Sequence, residues 1–296
     1  MTPARGSRVK RARWDRSSRR RCVYSRAMTA AAFAKYEGLG NDFLVLDAEV
    51  WPEATVTPEL ARALCDRHRG VGGDGLLWVD RAGLAGGRVR LVILNADGSR
   101  PEMCGNGVRC VAAWLLDRGE LSVGGSLVVD SDAGPRPVRV RSTKDGVAEV
   151  EVAMGSASVA GAPSTVTVGG ERVAVRAVDM GNPHGVVFAP GDDATGLVRA
   201  VTALAEFPKG VNVELVAPEQ GGFRVRVHER GVGWTQACGT GACAVAAAAV
   251  AEGRWRAGEP VTVRLDGGPL VITVAEGTWA VTMTGPARRA FSGTVG

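Results

Sequence analysis

The 296-residue chain reads as an α+β protein of two pseudo-symmetric domains, each a curled, mainly antiparallel sheet around a central helix. Three observations predict this. An ordered series of landmarks in the first half returns in the second. Short β-branched runs bounded by Gly, Pro or Asp recur along the chain, and two helical stretches are apolar on nearly every side, so that each has to sit inside a layer of strands. The first domain is expected over residues 28–155 and the second over 156–285, with 286–296 a candidate to return to the first.

The landmarks pair in order. Gly40-Asn41 recurs as Gly181-Asn182, an offset of 141, and each is followed by an apolar run, Phe43-Leu44-Val45-Leu46 and Val186-Val187-Phe188. Gly70-Val71 recurs as Gly210-Val211, an offset of 140. Leu91-Val92-Ile93-Leu94 and Val225-Arg226-Val227-His228 both lead into Cys-Gly-x-Gly, at Cys104 and Cys238, an offset of 134. Asn95 and Glu229 each stand nine residues before their cysteine. An Ala-rich helical stretch follows each cysteine, then a strand (Leu127-Val128-Val129 or Val261-Thr262-Val263), a Gly turn and another strand. Both halves close on similar runs, Val152-Ala153-Met154-Gly155 and Thr282-Met283-Thr284-Gly285.

Strands are predicted over Arg88 to Leu94, Val138 to Val140, Val147 to Val152, Val173 to Val178, Val211 to Val216, Phe223 to Val227 and Leu270 to Val274. Thr57-Pro58 followed by Leu60, Ala61 and Leu64 predicts a helix with an N-cap and Pro at its first position, ending near Gly70. The helices after Cys104 and Cys238, above all Ala242 to Ala251, are the central ones.

Composition excludes several classes. Hydrophobic residues make up 45% and charged residues 23% of the chain, which is ordinary for a globular protein, and no run approaches the ~20 apolar residues needed to span a bilayer. The net charge of +5 is uneven: ten of the 36 basic residues and one of the 31 acids lie in residues 1–27, which leaves 28–296 at −4. Nucleic-acid binding rests on basic groups that neutralise phosphates, so it is not expected of residues 28–296. The first 27 residues read as a disordered basic extension, and a transit peptide or a separate polyanion-binding element is the alternative reading of them. Six cysteines with no C-x-x-C pair and no secretory signal indicate free thiols in a reducing, cytoplasmic setting.

Chemistry concentrates at Met103-Cys104-Gly105-Asn106-Gly107 and Ala237-Cys238-Gly239-Thr240-Gly241, each at a strand-to-helix junction. A thiol at a helix N-terminus is acidified by the dipole and by unpaired N–H groups, and the glycines let a carboxylate reach those groups. Two such thiols facing one amino acid are what inversion at a carbon requires: one base removes the α-proton from one face while an acid delivers a proton to the other. The carboxylate becomes enolate-like in the transition state, and the same donors stabilise it. Cys65, Cys110 and Cys243, without this glycine context, read as small buried hydrophobes, and Cys22 has no assigned role. A zinc site through Cys104, Cys110, Cys238 and Cys243 has the ligand count but the wrong spacing. No metal and no cofactor is expected.

Around the cysteines lie Asn95-Ala96-Asp97-Gly98, Gly181-Asn182-Pro183-His184, Gly210-Val211-Asn212 and Glu229-Arg230-Gly231, a polar set suited to a zwitterion. These strings, together with Lys35-Tyr36-Glu37-Gly38-Leu39-Gly40-Asn41-Asp42-Phe43 and the runs Met103 to Cys110 and Thr235 to Cys243, resemble the diaminopimelate epimerase family in order and spacing, from about Lys35 to about Pro286. The resemblance implies interconversion of LL- and meso-diaminopimelate in lysine biosynthesis, with Cys104 and Cys238 as the catalytic acid/bases. It implies substrate contacts from Asn41, Asn95, Asn182, Asn212, Glu229 and Arg230, with Arg230 at the distal carboxylate. Backbone groups of Gly105, Asn106, Gly239 and Thr240 would hold the reacting carboxylate, and His184 would support them.

Two positions depart from the best-known members of that family: Gly75 stands where some carry a substrate-contacting Gln, and Trp234 where Glu is frequent. Competing readings are a two-cysteine racemase or epimerase of another amino acid, such as proline or hydroxyproline, and a ligand-binding protein that kept the fold but lost catalysis. The second would have given up one of the two cysteines, and both are present. A homodimer is carried as an expectation.

Overall fold

The computed structural model describes residues 30–188 and 191–296, so the basic extension at 1–27 lies outside the described residues. The first half runs β1 (Ala31–Gly38), β2 (Asn41–Asp47), α1 (Pro58–Cys65), β3 (Gly75–Asp80), β4 (Arg88–Asn95), α2 (Gly105–Asp117), β5 (Ser126–Ser131), β6 (Gly134–Lys144) and β7 (Val147–Ser156). The second runs β8 (Ser158–Val159), β9 (Ser164–Val168), β10 (Glu171–Asp179), β11 (Pro183–Phe188), α3 (Ala194–Thr202), β12 (Asn212–Glu219), β13 (Gly222–Glu229), β14 (Gly233–Thr235), α4 (Gly239–Ala251), β15 (Val261–Leu265), β16 (Gly268–Val274) and β17 (Ala280–Val295). The architecture is mixed α/β, mostly strands with four α-helices among the described residues.

Pairing directions follow one series twice. In the first half β1–β2 is antiparallel, β2–β3 parallel, β3–β4 antiparallel, β4–β5 parallel, and β5–β6 and β6–β7 antiparallel. The same series runs through β10–β11, β11–β12, β12–β13, β13–β15, β15–β16 and β16–β17. Parallel neighbours cannot be joined by a tight turn and need a crossover. Each of the four helices occupies one of these parallel crossovers. β17 ties the halves together: Ala280 to Arg288 pair with β7, and Arg288 to Val295 pair with β1.

Side-chain alternation explains why several strands are apolar throughout. On β2, Phe43 and Val45 face the core around α2, whereas Leu44 and Leu46 face a second core with Trp51, Leu60 and Leu64 under α1. On the second-half strands, Val186 of β11 and Val216 of β12 point to the central core, while Val187, Val213 and Leu215 pack with Leu197 and Val201 of α3. A strand buried on both faces has no polar side to display. The large central core contains both α2 and α4, and Ala244 to Ala249 of α4 are at most 0% exposed. Small side chains there allow the enclosing strands to close at native packing density.

α1 starts as expected, with Thr57 Oγ1 accepting from Leu60 N (3.3 Å) and Pro58 in its first turn. It ends at Cys65 rather than near Gly70, because Asp66 Oδ1 accepts from the backbone N–H groups of His68 (2.8 Å) and Arg69 (2.9 Å) and turns the chain. α3 has no counterpart in the sequence reading, and β17 is far longer than the run at 282–285 that announces it.

Candidate active site

Cys104 and Cys238 are the N-cap residues of α2 and α4, in extended backbone conformation. Each sulfur accepts from the N–H three residues on, Gly107 N and Gly241 N, both at 3.4 Å. The two turns converge on one side chain. A Cβ at Gly105 would lie 2.9 Å from Met283 Cε, and one at Gly239 would lie 3.2 Å from Met283 Sδ and 3.9 Å from Asn106 Oδ1. These glycines are therefore required by close approach, and Met283 of β17, fully buried, is the wedge between the two helix starts.

Cys104 is partly exposed and Cys238 is 7% exposed. The expectation of acidified thiols is not met here. Burial pushes the Cys104 thiol up, against the N–H groups of Gly107 and Asn106 and the charge of Arg109. Burial also pushes Cys238 well up, and the carboxylates of Glu229 and Glu214 add to the rise. Desolvation of a thiolate outweighs the N-cap donors in both places. Burial likewise drives Cys65 and Cys243 up to about 12, as suits packed hydrophobes.

The polar residues group about the two cysteines. On the Cys104 side, Asn106 Nδ2 donates to Asn41 Oδ1 (2.5 Å), and Asn41 Nδ2 donates to Asp74 Oδ2 (3.0 Å). On the Cys238 side, Thr240 Oγ1 lies 3.5 Å from the sulfur and accepts from Asn182 Nδ2 (3.4 Å). His184, wholly buried, bridges Asn182 Oδ1 (3.1 Å) and Glu214 Oε1 (2.7 Å). Glu229 contacts Cys238 and accepts from Thr235 Oγ1 (2.5 Å); burial raises its carboxyl pKa. Asn212 Oδ1 accepts from Arg230 N (2.9 Å), which fixes the start of the turn carrying Arg230. The exposed Arg230 side chain donates to the Lys209 carbonyl (3.1 Å). Asn95 is committed to its own turn through Ser99 (2.9 Å), and among the described residues it shares no hydrogen bond with either cysteine turn.

The two departures have local explanations. At Gly75 a Cβ would stand 2.5 Å from the Leu94 carbonyl oxygen, so a longer residue needs the strands to shift. Trp234 is an exposed β14 residue packed edge-on to His228 and under the Arg226 guanidinium. Sequence reasoning passed over Asp74, Arg109, Glu214 and Met283. Asp74 and Glu214 could have been found, because they are separated by the same offset of 140 that relates Gly70 to Gly210. Among the described residues no group of three or more His, Cys, Asp or Glu is arranged to hold a metal ion.

The fold that carries these two cysteine turns is shared with solved structures described as a probable proline racemase, a hydroxyproline epimerase and phenazine-biosynthesis proteins. The chain is similar to a PhzF-family protein of Bacillus anthracis (TM-score 0.71, 15% identity, 90% of this chain and 99% of that one). It is also similar to a probable proline racemase of Agrobacterium radiobacter K84 (TM-score 0.67, 18% identity, 90% and 93%). At that identity the likeness shows the fold alone. The family model "Diaminopimelate epimerase" matches residues 33–160 and 176–290. Diaminopimelate epimerases of Synechococcus sp. (strain JA-3-3Ab) and Mycobacterium bovis (strain BCG / Pasteur 1173P2) are 41% and 44% identical, over 89% and 83% of this chain and 97% and 91% of theirs. The chain belongs to the diaminopimelate epimerase family, isomerases of lysine biosynthesis.

Proposed function

We propose that the protein interconverts LL- and meso-diaminopimelate by a two-base proton transfer between Cys104 and Cys238, without a cofactor. The convergence of both cysteine turns on Met283 is the observation that carries this reading. One cysteine, as thiolate, takes the α-proton and becomes the thiol; the carbon turns enolate-like; the opposite thiol delivers its proton to the other face and becomes the thiolate. The reverse direction exchanges these roles. The N–H groups of Gly105, Asn106, Gly239 and Thr240 face the reacting carboxylate as its charge grows. Asn41, Asn182, Asn212 and Glu229 orient the substrate's polar groups, His184 supports Asn182, and Arg230 takes the distal carboxylate by leaving the Lys209 carbonyl. Asn95 contacts substrate only if its turn with Ser99 yields.

The recurring series of strand pairings supports two pseudo-symmetric domains from an internal repeat, over 28–155 and 156–285, with the end of β17 returning to the first. A cytoplasmic setting suits the five free cysteines of the described residues, in which no helix is long and apolar enough to cross a membrane. We also propose a homodimer.

Incubation with LL-diaminopimelate in deuterated water tests the chemistry. The wild type is expected to form meso product carrying one solvent deuteron at the inverted carbon. Cys104→Ala and Cys238→Ala should each lose about 10²- to 10⁴-fold in rate, the usual share of a general acid or base. Near-wild-type inversion by either variant would remove the two-base mechanism.

A further inference from the structure

Arg109 is 0% exposed and forms no ion pair among the described residues. Its hydrogen bonds go to the Pro286 carbonyl (3.1 Å), Met283 Sδ (3.7 Å) and Asn106 Oδ1 (2.9 Å). A guanidinium removed from water without a counter-charge is strongly unfavourable, and it stays a cation because arginine does not give up its proton in proteins. We propose that Arg109 is a positioning residue of the active site, a buried cation that fixes the Asn106 and Asn41 amides and draws negative charge to Cys104 rather than Cys238.

The amide orientations follow from donor and acceptor types. Arg109 can only donate, so Asn106 must present Oδ1 to it and turn Nδ2 toward Asn41 Oδ1. Asn41 is then left with Nδ2 for Asp74 Oδ2, which as a carboxylate can only accept and is itself held by Arg67 (2.8 Å). A donor-only group at one end and an acceptor-only group at the other leave neither amide free to flip. In the second half the matching chain, Thr240 to Asn182, ends instead on His184 and Glu214.

The repeat exposes the asymmetry. At the offset of 134 that relates Cys104 to Cys238, the counterpart of Arg109 is Cys243, an uncharged thiol. Among the groups facing these positions from the other elements are the acids Glu149 of β7 toward Arg109, Glu229 of β13 toward both catalytic cysteines, and Glu214 of β12 toward Cys238, with Glu37 of β1 and Asp42 of β2 toward Cys110 behind them, and the buried His184 of β11 bonded to Glu214. Arg109 is the cation that acts on Cys104, whereas the charged groups that act most on Cys238 are the carboxylates of Glu229 and Glu214.

The test follows iodoacetamide alkylation of Cys104 and Cys238 separately, by peptide mapping against pH, on the full chain, together with steady-state kinetics. The inference rests on the epimerase reading for its kinetic arm, but alkylation needs no turnover, so failure of one is distinguishable from failure of the other. In Arg109→Met the alkylation midpoint of Cys104 should rise by about one pH unit, with Cys238 shifting far less. Arg109→Lys should restore the Cys104 midpoint yet raise KM about tenfold, since one ammonium cannot hold Asn106 in the guanidinium's geometry. Asp74→Asn should raise KM without moving the Cys104 midpoint. An unmoved midpoint in a folded Arg109→Met, or an equal shift of both cysteines, overturns the proposal. Should the Met variant fail to fold, wild-type KM in both Arg109→Lys and Asp74→Asn overturns it.

Discussion

Replacing Met283 by Ala separates packing from catalysis at the point where the two half-sites meet. The side chain is fully buried and touches the starts of both α2 and α4, as well as Arg109. Truncation removes three heavy atoms, at about 0.8 kcal/mol each, and adds a term for the cavity; together these give about 3 kcal/mol, inside the range of about 2–5 kcal/mol seen for such changes. Stability alone would lower Tm by several degrees. The catalytic consequence should be larger than stability explains, because a misplacement of about 1 Å between reacting groups costs about a hundredfold in rate. Met283→Leu, close in volume, should retain stability to within about 1.5 kcal/mol and most of the rate. Thermal melts and kcat measured well below Tm decide the matter: a folded Met283→Ala with kcat within about threefold of wild type would show that the methionine fills space and does not set the distance between the cysteines.

Asp42 is held at a pKa of about 2, where burial opposes ionisation but Arg67 and Lys35 prevail, against 3.8 for an unperturbed Asp. A depressed carboxylate contributes stability that is present above the unfolded value and lost as pH falls through the folded one, so Asp42→Asn should cost about 2 kcal/mol at neutral pH and only about 0.4 kcal/mol near pH 2, where the folded carboxyl is half protonated. Urea denaturation at both pH values checks this, and an equal loss at both would detach the effect from ionisation. The proposed two-base transfer needs one cysteine ionised and the other not, so kcat/KM should be bell-shaped in pH. Because burial raises both thiols, the ascending limb should fall at or above the ordinary thiol value of 9.0. A limb near pH 6 would mean that the free enzyme's thiols are acidified after all.

The strands and the two cysteine turns were legible because their causes are local: β-branched runs between turn residues, and Gly flanking Cys at a helix start. The pairing series was legible only through the repeat. α3 was missed because Ala194 to Thr202 is short and its apolar face shows only against Val187 and Leu215 across the sheet. Arg109 lay inside a string singled out for its cysteines, yet an Arg in a sequence announces a solvated surface. Only the fold shows that β17 covers it. Thiol acidity was misjudged for a similar reason, since a helix N-terminus is visible in the sequence but the degree of burial around it is not.

A repeated frame poses a chemical difficulty that the substitutions between its halves resolve. Identical half-sites would give the two sulfurs the same proton affinity, so that the productive state, one thiolate facing one thiol, would compete with two thiols, which offer no base, and two thiolates, which offer no acid. Differences in the surroundings lift that degeneracy. Arg109 in one half and Cys243 in the other, with Glu214 behind Cys238, separate the sulfurs electrostatically while leaving their backbone turns alike. Matching turns keep the geometry of approach equivalent on the two faces of the carbon. In the proposed mechanism unequal charges bias which cysteine rests as the thiolate, while the configuration of the bound carbon sets which face presents its proton, so the reverse reaction draws on the other protonation form.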